Sequence, residues 1–223
     1  IGNLLDINAV GNLCKLYNAY FHSDTVQTVG HIPIDLRNTP VHFITAAGHK
    51  FHGPKGVGFL YVNHNIKIQP MIYGGAQERN MRGGTENTQG IIGLAKALEI
   101  CYAEMDEHIA HIKGLKNYMK ERLEKEIPGI EFNGETGDNS LYTVLNCRFP
   151  AHPDAEMMLF NLDIAGIAAS GGSACSSGSN QGSHVLRGIG ADVSRASVRF
   201  SFCKYTTKEE IDYTIEKLKE MLK

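Results

Sequence analysis

Residues 41–62 read VHFITAAGHKFHGPKGVGFLYV. The run Val41–Ala46 is short, apolar and rich in β-branched and aromatic residues, which predicts a strand. It ends in Ala47-Gly48-His49-Lys50 and enters a glycine-rich turn, after which Gly56–Val62 predicts another strand. Upstream, Asp6 is placed to cap a helix from Ile7 to about Asn18, with Ile7, Val10, Leu13, Cys14 and Tyr17 on one face. Tyr20–Ser23 reads as a short strand ending at Asp24. Strand, loop and helix in alternation imply an α/β fold with a mostly parallel sheet.

Downstream, Gly74–Asn87 (GGAQERNMRGGTEN) is polar and glycine-rich and reads as a loop. A largely helical stretch follows from Gly90 to about Lys125, with a bend expected near Gly114. Composition changes after Pro128. Ile130–Phe132, Tyr142–Phe149 and Ser197–Phe202 predict strands, Asp154–Leu162 a helix with its cap, and Ser183–Ile189 a helical turn. Thr207, with Glu210 three residues on, forms a capping-box signature for a closing helix over Lys208–Leu222. These elements suggest two domains, 1–95 in a large α/β domain and 96–223 in a smaller α+β domain.

The 223 residues are 42% hydrophobic and 21% charged, with a formal net charge of -2. That is an ordinary globular composition, and it lacks the basic excess of a nucleic-acid binder. No apolar run approaches the length needed to span a bilayer, and no signal peptide opens the chain. The chain starts at Ile1, without an initiator Met and directly before a helical pattern, so an N-terminal part is expected to be missing. Five cysteines at wide spacings include no C-x-x-C pair, which argues against a structural zinc site or a dithiol motif and fits reduced thiols in the cytoplasm. Cys14, Cys101, Cys147 and Cys203 read as packing residues. His108 and His111 lie one helical turn apart without a third ligand, so no metal site is expected.

Cys175 is different. It sits alone in Ser170–Ser183, SGGSACSSGSNQGS, a segment with no apolar face to bury, which predicts a mobile surface loop carrying a reactive thiol. Asp24 and Lys50 both fall at the carboxyl ends of predicted strands, the edge where open parallel sheets bind ligands. A lysine among glycines with a carboxylate nearby is the arrangement a pyridoxal phosphate enzyme needs. The amine forms a Schiff base, and the carboxylate keeps the pyridine nitrogen protonated. No nucleotide-loop pattern is present. Arg199, in the strand SVRFSF, has the planar fork suited to a substrate carboxylate.

The motifs DTVQ at 24–27, GHK at 48–50 with HGPKGVGFLYV, RGGTEN at 82–87, SGGSAC at 170–175, SHVLRGIG at 183–190 and SVRFSF with TTKEEIDYTI occur in order along the chain. This series resembles the cysteine desulfurases of the NifS/IscS type, in the class V aminotransferase superfamily of fold-type I pyridoxal phosphate enzymes, whose chains are longer at the N-terminus. The resemblance implies roles residue by residue. Lys50 is the Schiff-base lysine, Asp24 pairs with the pyridine nitrogen, Gln27 bonds the ring hydroxyl oxygen, and His49 helps hold the phosphate. Thr85 reaches the phosphate of the other subunit in a homodimer. Arg199 holds the carboxylate of L-cysteine, and Cys175 accepts the sulfur and passes it to an iron–sulfur scaffold or other sulfur-acceptor protein. Other readings are a selenocysteine lyase or another lyase of the superfamily, a non-catalytic fragment that keeps dimer or scaffold contacts, and a pyridoxal-free sulfurtransferase, against which Lys50 and Asp24 argue.

Overall fold

Helix α1 (Ile7–Leu16) begins where Asp6 makes a cap: its carboxylate accepts the N–H groups of Asn8 and Ala9, each at 3.0 Å. In the computed structural model, which describes residues 1–171 and 183–223, α1 belongs to a unit spanning Leu5–Met105. Its sheet contains β1 (His22–Asp24), β2 (Phe43–Ala47) and β3 (Gly58–Val62) in that order. Strands β1 and β2 are parallel, with Asp24 opposite Thr45. Strand β3 is the antiparallel member of the sheet, since the connection from Ala47 to Gly58 is too short for a parallel crossover. Gly58 permits this pairing, because a Cβ there would stand 2.4 Å from the Ala46 carbonyl oxygen.

The core of this unit is small. Phe21, Val29, Val41, Ile44 and Phe51 are buried with Leu94 and Cys101 of helix α3 (Thr88–Ala103). That packing places all of α3 with the first unit, so the expected division at 95/96 falls inside a helix and the two units part at Met105 and Asp106. Between β3 and α3, the stretch labelled α2 (Gln77–Asn80) is a left-handed turn: Glu78, Arg79 and Asn80 have φ of 47°, 56° and 66°. Among the described residues, no helix is long and apolar enough to cross a membrane.

The second unit joins Ile1–Leu4 to Asp106–Lys223. It holds most of α4 (Met105–Glu126), then β4 (Glu131–Phe132), β5 (Val144–Arg148), α5 (Met158–Ile164), α6 (His184–Gly188), β6 (Ser197–Ser201) and α7 (Lys208–Met221). The three strands form an antiparallel sheet in the order β4-β5-β6. Leu123, Phe149, Leu162, Val198, Ile215 and Leu218 fill the core and are almost fully buried. The helical stretch expected to bend at Gly114 instead breaks at Glu104, between α3 and α4, and Gly114 lies within α4 facing open space. Asp154 makes no side-chain cap. A 3-10 turn (Ala155–Met157) leads into α5 instead. The capping box at Thr207 and Glu210 is formed, with both reciprocal bonds present.

Charged groups bind α4 to α7. Arg122 contacts Glu126, Asp212 and Glu216, and Lys219 Nζ reaches Glu126 at 2.9 Å. Bonds from Arg122 and then Lys219 hold the Glu126 carboxyl down to about 2. On another face of α4, Lys116 is buried, and its Nζ donates to Ser140 Oγ at 2.7 Å and to the Leu141 carbonyl at 3.0 Å. Burial lowers its pKa, with Lys120 and Lys113 adding to the effect.

Candidate active site

The parallel pairing of β1 and β2 sends both carboxyl ends to one sheet edge. Asp24 is the last residue of β1, and its carboxylate accepts the Val26 N–H at 3.0 Å. The chain then coils through a turn at residues 25–32. Thr25 is buried and clamps the turn to β2: its backbone N–H and its Oγ1 both donate to the Thr45 carbonyl, at 3.0 and 2.7 Å. Gln27 is carried on this turn, exposed.

Lys50 lies in a 3-10 turn (Gly48–Phe51) that starts where β2 stops. Gly48 donates its N–H to the Val57 carbonyl at 2.9 Å, and Gly53 donates to the Gly48 carbonyl at 2.8 Å. A Cβ at Gly53 would meet the Gly48 oxygen at 2.9 Å, and His52 takes a left-handed φ of 66°. Gly48 and Gly53 therefore close a tight coil around the backbone of Lys50. His49 is exposed on the same turn and Lys50 is half-buried. The structure thus brings Asp24, Gln27, His49 and Lys50 to one edge. Thr85 is exposed in the loop before α3.

Arg199 belongs to the second unit, at the centre of β6 opposite Asn146. Its backbone also exchanges two hydrogen bonds with Ser170: Arg199 N–H to Ser170 O at 2.6 Å, and Ser170 N–H to Arg199 O at 3.2 Å. Among the described residues, the Arg199 Nε is buried without an acceptor. A buried guanidinium donor left unpaired is costly and suits an anion that arrives from outside. Of the loop expected at Ser170–Ser183, residues 172–182, with Cys175 among them, lie outside the described residues, while Ser170 is paired with Arg199 and Ser183 caps α6. Of the other cysteines, Cys101 and Cys147 are buried, Cys14 packs half-buried against the first core, and Cys203 is half-buried; burial pushes the Cys147 thiol up. His111 bonds the Thr206 carbonyl at 3.1 Å.

The model of the class-V aminotransferase family matches residues 1–214. The chain belongs to the class-V aminotransferase family. Among curated members, it is 43% identical over its whole length to the cysteine desulfurase IscS of Dictyoglomus turgidum, covering 56% of that protein. It is 41% identical to the cysteine desulfurase IscS of Clostridium botulinum, covering 57% of it. The chain therefore spans a little over half the length of the relatives it matches. A solved NifS-like protein superposes with a TM-score of 0.88 at 34% identity, covering all of this chain and 58% of that one. The NifS-like protein of Rickettsia africae superposes with a TM-score of 0.86 at 32% identity, over 99% of this chain and 58% of its own. These neighbours establish the fold-type I architecture of the family.

Sequence reasoning did not pick out Thr25 or the Ser170–Arg199 bridge. A threonine after a strand carries no signal of its own, and the bridge joins residues far apart in the chain.

Proposed function

We propose that the protein is a cysteine desulfurase, using pyridoxal phosphate to take sulfur from L-cysteine and release L-alanine, with the sulfur held as a persulfide on Cys175. The observation that carries this reading is the delivery of Asp24 and Lys50 to one sheet edge by paired parallel strands. The donor set suits the cofactor: a carboxylate, an amine, an amide and an imidazole share the edge, and an unpaired guanidinium Nε stands ready for a carboxylate. When bound, pyridoxal phosphate supplies an electron sink that makes the substrate Cα–H acidic.

The chain's own residues do the rest. Lys50 holds the cofactor through its ε-amine and, once released and neutral, takes the Cα proton at Nζ. Asp24 presents a carboxylate to the ring nitrogen, Gln27 donates to the ring hydroxyl oxygen, and His49 donates to the phosphate. Thr85 serves the phosphate of a partner subunit in a homodimer. Arg199 orients L-cysteine by its carboxylate. The Cys175 thiolate attacks the substrate sulfur, so that an S–S bond forms as the Cβ–S bond breaks. The pair of electrons stays with the carbon skeleton, which leaves as L-alanine after protonation. A sulfur-acceptor protein such as an iron–sulfur scaffold then takes the sulfur, in the cytoplasm. The relatives named cysteine desulfurases favour this reading over a selenocysteine lyase.

The test is spectroscopic and chemical. Pyridoxal phosphate produces a visible absorbance band that Lys50→Ala abolishes. Added cysteine yields alanine, and a reducing thiol in the assay releases the persulfide sulfur as sulfide; Cys175→Ser keeps the band while losing sulfur release. A Cys175→Ser protein that still turns over cysteine overturns the mechanism.

A further inference from the structure

We infer that His31 is a positioning residue for Lys50, joining the turn that carries Asp24 and Gln27 to the backbone beneath the reactive amine. This rests on the reading of Lys50 as the cofactor-bearing lysine. His31 Nε2 lies 3.0 Å from the Lys50 carbonyl oxygen. A carbonyl oxygen only accepts, so Nε2 carries the proton and donates. His31 is itself held in place, because its N–H bonds the Thr28 carbonyl at 3.0 Å, and Thr28 bonds back to Thr25 at 2.9 Å.

A second contact runs beside the first. Gly30 has φ +78° and lies so near Phe51 that a Cβ there would be 2.8 Å from the Phe51 Cβ. Phe51 is fully buried, and its carbonyl accepts the Cys101 thiol at 3.5 Å. Gly30-His31 thus packs against Lys50-Phe51 as one dipeptide on another, and the two successive carbonyls are capped from different elements. The 3-10 turn bearing Lys50 is short, and turns of this kind have poor internal hydrogen-bond geometry. An outside donor on the Lys50 carbonyl therefore limits how far the side chain's root can rotate, and it couples that root to Asp24 through residues 25–31. Outer-shell hydrogen bonds that orient metal ligands commonly change affinity or activity by about 10- to 100-fold when removed, and an effect at the lower end of that scale is expected here.

The experiment compares His31→Phe, which keeps a ring and loses the donor, with His31→Gln, whose amide can donate from a similar reach. Both are loaded with pyridoxal phosphate and read by cofactor absorbance, thermal midpoint, kcat and KM. His31→Phe is expected to alter the wavelength or intensity of the band and to lower kcat about 10-fold with KM little changed, and His31→Gln is expected to restore both. Should His31→Phe fail to fold, His31→Ala carries the same comparison. A normal band and kcat in the donor-less variant overturn the inference, as do equal losses in both variants that follow the thermal midpoint alone. An unsubstituted protein with no band overturns the desulfurase reading itself, and the inference with it.

Discussion

The two units stabilise themselves by different means. In Leu5–Met105, a small apolar core is supplemented by close backbone approach: Gly30 against Phe51, Gly53 against Gly48 and Gly58 against Ala46. In the unit ending at Lys223, a larger core of long side chains is supplemented by the ion pairs between α4 and α7. The first arrangement leaves little room for change, but it fixes backbone positions closely, which is what a site built on turns requires. The second tolerates more, because long charged side chains can repack around a lost partner.

The largest effects separate the units by what is lost with stability. Phe51→Ala and Phe149→Ala each empty a fully buried site and are expected to cost about 3–5 kcal/mol in urea unfolding. Phe51→Ala is expected also to abolish cofactor absorbance, since Phe51 anchors the turn of Lys50, whereas Phe149→Ala keeps the band wherever the protein remains folded. Gly30→Ala comes next. The left-handed φ and the 2.8 Å approach to Phe51 together predict a loss of about 1–3 kcal/mol with a weakened band. If Gly30→Ala is silent, close approach is not what stiffens the first unit.

The smallest effect concerns acid. The folded-state Glu126 carboxyl is depressed from 4.5 to about 2, so the stability it contributes is complete above pH 4.5 and is lost as pH falls toward about 2. Between those values, the thermal midpoint of the unsubstituted protein is expected to fall more steeply than that of Glu126→Gln. Parallel slopes would remove the α4–α7 network from the account.

Local signals are the ones legible in the sequence. The Asp6 cap and the capping box at Thr207 and Glu210 are short-range devices, and each stands at its expected position. The positions of Asp24 and Lys50 at strand ends are legible too, since apolar runs and glycines mark where β1 and β2 stop. What escapes is either fixed by tertiary contact or contrary to propensity. The break at Glu104 has no glycine or proline to announce it, while Gly114, the expected hinge, is carried inside α4. Glu78 and Arg79 take positive φ against their single-residue preference, and only Asn80 beside them is a residue that favours it. His31 meets Lys50 across 19 residues, and a lone histidine in a loop gives no reason to expect it.

Lys116 gives the molecule an internal reporter. Its amine is sealed against Ser140 Oγ and the Leu141 carbonyl, while Lys113 on the same helix is exposed and Lys120 is half-buried. An amine-acylating reagent therefore marks Lys113 first and reaches Lys116 only when that seal parts. The ratio of labels along one helix is a clock for local opening, read by mass spectrometry without any engineered probe.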